Sequence, residues 1–228
     1  AEEELSASAT LEHGAISISV TETALNIYLS EKLRAFHTEY PGIRLRISNH
    51  STPQAVQAVK NGEVDFAIVS TPAEVGAGLK MKELKTFSEI LVGGKTFTAL
   101  ASQKLSLKEL GNYSMISLSE ESMTRNFYRQ LFLNHDVVLK PDTEAATTDQ
   151  MLTLVKSELG LAFVPEPMAR EPLARREIVE VHLQEQIPVR SIGLVYDNHR
   201  PLNTAARKFQ QLLIQSAEED AKTGKKEI

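Results

Sequence analysis

Small hydroxyl side chains recur at equivalent points along this chain, where an apolar run stops or an amphipathic one starts. They are Thr21 and Thr23, Thr52, Ser70 and Thr71, Ser119 and Ser122, and Thr147 and Thr148. A hydroxyl ahead of a helix accepts a hydrogen bond from one of the first-turn N–H groups that have no partner inside the helix. Those N–H groups, with the positive end of the helix dipole, also favour an anion. Gathered on one rim, such positions would recognise a carboxylate or a small polar ligand without a strong protein charge. Thr52 is the leading candidate, and duty as an N-cap is compatible with a ligand contact there. Ser70 and Thr71 also fit ordinary strand-end turn chemistry, and Thr148 fits a helix cap.

Other chemistry finds little support. His13, His37, His50, His135, His182 and His199 are dispersed, with no His-x-x-x-His or His-x-His spacing for a metal. The absence of cysteine excludes disulfides, zinc–thiolate sites and cysteine nucleophiles. No Gly-x-Ser-x-Gly elbow or glycine-rich phosphate loop occurs, and Gly93-Gly94 fits a hinge or bulge. Glu120-Glu121 and the group Arg170, Arg175 and Arg176 fit solvated surface. The expectation is no catalytic residue, no metal and no cofactor.

The elements that must carry the hydroxyls alternate between strand and helix. "AISISV" (Ala15–Val20) alternates as a strand does. Leu25, Leu29, Leu33 and Phe36 then form a helical stripe closed by Pro41-Gly42. "IRLRIS" predicts a second strand. Thr52 as N-cap, Pro53 at the first helical position, Val56 and Val59 on the buried face and Gly62 as left-handed cap predict a second helix. "DFAIVS" reads as a strand buried on both faces. This order argues for an α/β fold with a parallel sheet.

Residues 71–88 are less regular. Further on, "EILVGG" and "SMISLS" are strand-like, and Ser106 with Glu109 makes a capping box. A helix with Phe127, Leu131 and His135 on one side follows. Thr147 or Thr148 caps a helix with Met151, Leu152, Val155 and Leu159 inward, ended by Gly160 and the strand "LAFVP". A Pro- and Arg-containing loop, two strands ("IVEVHL", "RSIGLVY"), a helix with Ala206, Phe209, Leu212 and Leu213 inward, and a charged tail complete the chain.

Bulk composition narrows the classes of function. At 228 residues with 42% hydrophobic content, the chain can build a substantial core without disulfides. A net charge of −5 gives no basic footprint for nucleic acid, and the absence of Trp argues against a base-stacking platform. No apolar run reaches membrane-spanning length, and "AEEELSASATLEHG" is unlike a signal peptide.

Five segments together resemble the effector-binding domain of LysR-type transcriptional regulators: "GAISISV", "LSEKLRAFHTEYPGIRLRIS", "VKNGEVDFAIV", "TDQMLTLVKSELGLAFVPEPMA" and "LNTAARKFQQLL". They run in the family's order from Gly14 to Leu213. One departure is Glu158, where the family often has glycine. The resemblance implies a two-lobed, periplasmic-binding-protein-like (type II) fold, each lobe a mostly parallel sheet flanked by helices, joined by two crossover segments. It implies residues 1–14 as the remnant of a linker helix, lobe I as 15–91 with 196–216, lobe II as 92–195, and 217–228 as a tail.

The resemblance also implies function. A small, carboxylate-bearing effector would bind in the cleft, at Thr21–Thr23 and Thr52 in lobe I and near Ser119–Arg125, Thr147–Thr148 and Pro165 in lobe II. Arg125 could meet a carboxylate bidentately, although an arginine on a solvated helix face is the commoner case. Expected partners are the effector and a second copy, as an antiparallel homodimer or, in a full-length protein, a tetramer. DNA would be contacted only through an N-terminal winged helix-turn-helix absent from this chain. The place would be the cytoplasm, with no membrane contact. The rival readings are a solute-binding protein of a transport system and an enzyme on the same scaffold.

Overall fold

The computed structural model describes residues 13–223. The chain forms two compact units, one made of the chain up to Thr86 and from Ser191 onward, the other of Phe87–Arg190. The chain thus changes unit at 86/87 and 190/191, each five residues ahead of the boundary read from the sequence (91/92 and 195/196). The remnant of a linker helix expected over 1–14 lies outside the described residues, save its last two.

In the first unit, β1 (Gly14–Val20) pairs in parallel with β2 (Ile43–Asn49) and with β3 (Phe66–Ser70). β11 (Arg190–Asp197) adds antiparallel to β3, and β4 (Leu79–Phe87) closes the order β2-β1-β3-β11-β4. β3 is buried at every position, as its continuous apolar run requires. Its Ala67 and Val69 pack with Ala55, Val56 and Val59 of α2 (Thr52–Asn61). Its Phe66 stacks toward Phe209 of α6 (Thr204–Thr223), which also meets Phe36 at 4.8 Å between ring centres. Each such fully buried Phe or Leu contributes roughly 1.5–3 kcal/mol.

α1 covers residues 22–39 and changes winding within them: α-helical at Glu22–Ala24, π-helical at Leu25–Leu29, α-helical again at Ser30–Glu39. The wider π turn rotates the side chains beyond it. Ala24, Tyr28, Leu29 and Phe36 are buried, whereas Leu25 and Leu33 of the expected stripe are only half-buried.

In the second unit, the order is β6-β10-β5-β9-β7-β8: β6 (Lys104–Leu105), β10 (Val179–Leu183), β5 (Glu89–Gly93), β9 (Leu161–Pro165), β7 (Met115–Leu118) and β8 (Thr143–Ala145). β7 is parallel to β8 and β9, while β5 runs antiparallel to β9 and β10. The sheets are thus mixed, with β5 running against both of its neighbours and β11 against β3. One face packs under α3 (Met123–Leu133) through Tyr128, Leu131 and Phe132 against Leu91, Leu161 and Phe163. The other packs under α4 (Thr148–Lys156) and α5 (Glu166–Ala174) through Met151, Val155 and Ala169 against Val92, Ala162 and Val164.

Several elements differ from the sequence reading. Residues 71–88 contain β4, an edge strand with only Leu79, Leu84 and Phe87 buried. The Pro- and Arg-containing loop is α5, with Pro167 in its first turn and Pro172 inside it. The buried face of α3 uses Arg125, Tyr128, Leu131 and Phe132, and His135 lies beyond the helix, exposed. Leu159 is exposed past the end of α4. α6 runs through Thr223, into the expected tail, because Ala217 is buried and Glu218 pairs with Lys82 at 3.6 Å. Among the described residues no helix is long and apolar enough to cross a membrane.

The turn after α4 explains the departure at Glu158. Its φ of 64° is left-handed, the conformation that favours glycine. Its carboxylate in turn accepts from Lys95 N at 2.7 Å, Thr96 N at 3.2 Å and Thr96 Oγ1 at 2.6 Å. The Thr96 hydroxyl bond is the largest cause of its lowered pKa. Gly160, two residues on, is irreplaceable for a different reason: a Cβ there would sit 2.3 Å from Ser114 O.

Glu158→Ala loses the carboxylate bonds but keeps the strained backbone, so denaturant unfolding should find it about 1 kcal/mol less stable than Glu158→Gly. The order reversed would show that strain at Glu158 is unimportant. Tyr28, 4% exposed, has its phenol pushed up to about 12 by burial and then by Asp220. A folded-state pKa above the unfolded value of roughly 10 means its contribution is intact below pH 10 and lost as pH rises through 12. Wild type should lose on the order of 2 kcal/mol more than Tyr28→Phe between pH 10 and 12; parallel alkaline profiles would refute this.

Candidate functional site

In the first unit the carboxyl ends of β1, β2 and β3 lie side by side, Val20 opposite Asn49 and Ile68. Thr21 follows β1 as N-cap of α1, accepting from Ala24 N at 3.4 Å. The same oxygen accepts Ser70 N at 3.2 Å and lies 3.4 Å from Ser70 Oγ. Thr52 Oγ1 donates to Ser70 O at 3.0 Å. Thr71 Oγ1 accepts Ser191 N at 2.9 Å, and Thr71 N donates to Ser191 O at 2.9 Å. Thr21, Thr52 and Ser70 therefore form one hydrogen-bonded group, Thr71 beside them is tied to Ser191, and Thr23 is buried in the first turn of α1.

The role expected of Thr52 belongs to its neighbour. Ser51, extended at φ −65° and ψ 160°, is the N-cap of α2, its backbone N–H bonded back to Gln54 Oε1 at 3.1 Å. Thr52 is the first helical residue, buried, with its proton spent on the Ser70 carbonyl. Two residues earlier, His50 sits at the same rim: its N–H reaches Val20 O, and its Nδ1 is 2.8 Å from Oγ of the fully buried Ser19. Sequence reasoning misses His50, because histidine spacing speaks only to metal ligation.

In the second unit β7, β8 and β9 end together, Leu118 opposite Ala145. Ser122 caps α3, accepting Arg125 N at 3.4 Å, and Ser122 N bonds Ser119 O. Ser119 is exposed and its N–H reaches Ala145 O. Thr147, rather than Thr148, caps α4, accepting Gln150 N at 3.2 Å; Thr148 is the first helical residue and buried. Pro165 ends β9, opposite Glu89. Arg125 is not a solvated arginine. It is 7% exposed, and its Nη1 donates to Leu118 O at 2.8 Å and lies 3.5 Å from Glu144 Oε1. The crevice beside it, lined by Ser117, Thr124, Arg125 and Tyr128, has room for about one water.

Behind the α3 N-terminus lies a buried polar group that sequence reasoning missed. Arg190 is ion-paired with Glu89, both fully shielded, and donates to Thr124 Oγ1 at 2.8 Å. Its guanidinium lies 5.4 Å and 5.1 Å from the ring centres of Phe87 and Phe127. Burial raises the Glu89 carboxyl against the pull of Arg190, and burial followed by Glu89 raises Tyr128 well above its usual range. A signal did exist: each charge opens an otherwise apolar strand, "EILVG" and "RSIGLV", where a buried charge demands a partner.

Comparison with known proteins identifies the family. Residues 9–218 match the family described as LysR substrate binding domain. A "Probable RuBisCO transcriptional regulator" of Nostoc sp. is 24% identical over 214 residues, 90% of this chain and 62% of that protein. The "HTH-type transcriptional regulator YofA" of Bacillus velezensis is 25% identical over 203 residues, 88% of this chain and 66% of that protein. The chain thus spans less than two-thirds of the length of these relatives. Among solved structures, the regulatory domain of Synechocystis PCC6803 CcmR in complex with 2-PG superposes with TM-score 0.80 at 18% identity, covering 90% of this chain and 98% of that one. The effector binding domain of QuiR in complex with shikimate gives 0.79 at 19%, covering 91% and 98%. These two share the fold: α/β, with two sheets flanked by helices. With the family match running over nearly its whole length, the chain belongs to the LysR substrate binding domain family.

Proposed function

We propose that this chain is the effector-sensing part of a LysR-type transcriptional regulator and binds a small anionic metabolite at the hydroxyl-bearing rims of its two sheets. One observation carries the reading. Thr21, Ser122 and Thr147 each cap a helix by accepting a backbone N–H. An oxygen that accepts in this way still has its own proton to give, because a hydroxyl both donates and accepts. Ser122 and Thr147 thus offer O–H donors beside helix N-termini, and Thr21 does so in competition with Ser70 Oγ 3.4 Å away, which suits an oxyanion. Thr52, its proton on Ser70 O, supports the rim and can only accept, so it meets a ligand's own hydroxyl rather than its anionic oxygens. Arg125 acts mainly as a tie between β7, β8 and α3.

Shikimate in QuiR and 2-PG in CcmR supply precedents for small acidic ligands on this fold. The names of the curated relatives favour a regulator over a transport protein. In this proposal the sensor works in the cytoplasm, pairs with a second copy, and reaches DNA through a domain outside this chain. A ligand shifts such an assembly only by binding one of its arrangements more tightly than the other.

The test is a thermal-shift screen of small carboxylates and phosphate esters, 2-PG and shikimate included. A binder at 100-fold over its Kd should raise Tm by ~5–10 °C. Relative to each variant's own ligand-free Tm, Thr21→Val should lose the rise while Thr21→Ser keeps it. A panel without a binder, or a Thr21→Val response equal to wild type, would sink the assignment of these rims.

A further inference from the structure

Arg190 touches every segment on which the second unit is entered and left. Phe87, under its guanidinium, is the first residue of that unit, and Glu89, its ion-pair partner, opens β5 two residues later. Arg190 is itself the unit's last residue. The next residue, Ser191, belongs to the first unit and is held there by two hydrogen bonds with Thr71 of the candidate rim, its N–H donating to Thr71 Oγ1 and its carbonyl accepting Thr71 N. On its remaining side the guanidinium bonds Thr124 and faces Phe127, both in the opening turns of α3, whose N-cap is Ser122.

We propose that Arg190 is a positioning residue that couples the N-terminal turn of α3 to both segments through which the chain passes between its units. The inference rests on reading the α3 N-terminus as part of the effector rim. Ligand contact at Ser122 then bears on the Arg190–Thr124 bond, and through Arg190 on Glu89, Phe87 and the peptide to Ser191. Arginine is suited to this role because one planar group bonds a carboxylate and a hydroxyl while its faces cover two rings. Lysine has a single ammonium and cannot do all four.

Burial makes the coupling stiff. Glu89 and Arg190 are shielded from water, so neither can exchange its partner for solvent at small cost. Glu89 Oε2 and the Tyr128 hydroxyl have no well-formed hydrogen bond, although each affects the other's ionisation. A displacement of α3 therefore changes the company of a buried charge, which is a larger perturbation than moving a surface contact.

Thr124→Val is the test variant, being nearly isosteric and leaving the ion pair in place. Hydrogen exchange on the ligand-free protein should speed up about fivefold to tenfold at the first turn of α3 and also at residues 86–90 and 188–193. Thr124→Ser should restore all three. Faster exchange confined to α3, or none anywhere, would overturn the coupling. In a second arm, a binder from the thermal-shift screen should slow exchange at 86–90 and 188–193 in wild type but not in Thr124→Val. Retained slowing in the variant would also overturn the coupling. If no compound binds wild type, the effector reading fails, while the ligand-free arm still decides whether Arg190 ties these segments together.

Discussion

Everything at the candidate site depends on how the ends of parallel strands are satisfied. Where β1 and β3 stop, their last backbone groups leave the sheet and meet the start of a helix with unpaired N–H groups. Both need partners within a few ångströms, and water is largely shut out of the group at Thr21, Thr52 and Ser70. A serine or threonine hydroxyl meets both needs. Thr21 Oγ1 accepts Ala24 N from its own helix and Ser70 N from the neighbouring strand. The rim is thus a structural necessity, whatever it binds.

That dual duty also limits which hydroxyls can serve a ligand. An oxygen that accepts a cap bond keeps a proton, while one that donates to a carbonyl does not. The division separates Thr21, Ser122 and Thr147 from Thr52, although all are small hydroxyls near a helix start. Charge separates the two rims further. The second unit carries Glu120, Glu121 and Glu144 near its strand ends, whereas α2 opens with no acid in its first turn.

Much of the fold was legible because periodicity and punctuation agreed. β3 and β9 are continuous apolar runs and are buried throughout. Gly62 takes the left-handed cap at φ 74°. The capping residues were found only to within one position. Ser51-Thr52 and Thr147-Thr148 each offer two adjacent hydroxyls, and the choice falls to whichever backbone is extended. β4 escaped because its buried residues, Leu79, Leu84 and Phe87, follow no period of two. α5 escaped because Pro172 lies inside it, a residue that normally costs a helix about 3 kcal/mol. The resemblance to a known family supplied the two-sheet architecture, which spacing alone did not.

The least legible feature was the buried charge pair, and its concealment has a physical reason. Glu89 and Arg190 are 101 residues apart in sequence and belong to no common periodic pattern. Only the cost of burying either alone indicates that they must meet. Such a pair is weak evidence for stability, since a well-packed apolar replacement is often as stable. What it supplies is uniqueness: of the ways β5 could enter the sheet and β11 could leave the unit, only one brings carboxylate, guanidinium and Thr124 together. A sensor must move between few, well-defined arrangements, and a shielded ion pair at the points of entry and exit restricts the chain in that way. In the proposed sensor, the hydroxyl rims would report on a ligand through segments that this buried pair holds in place.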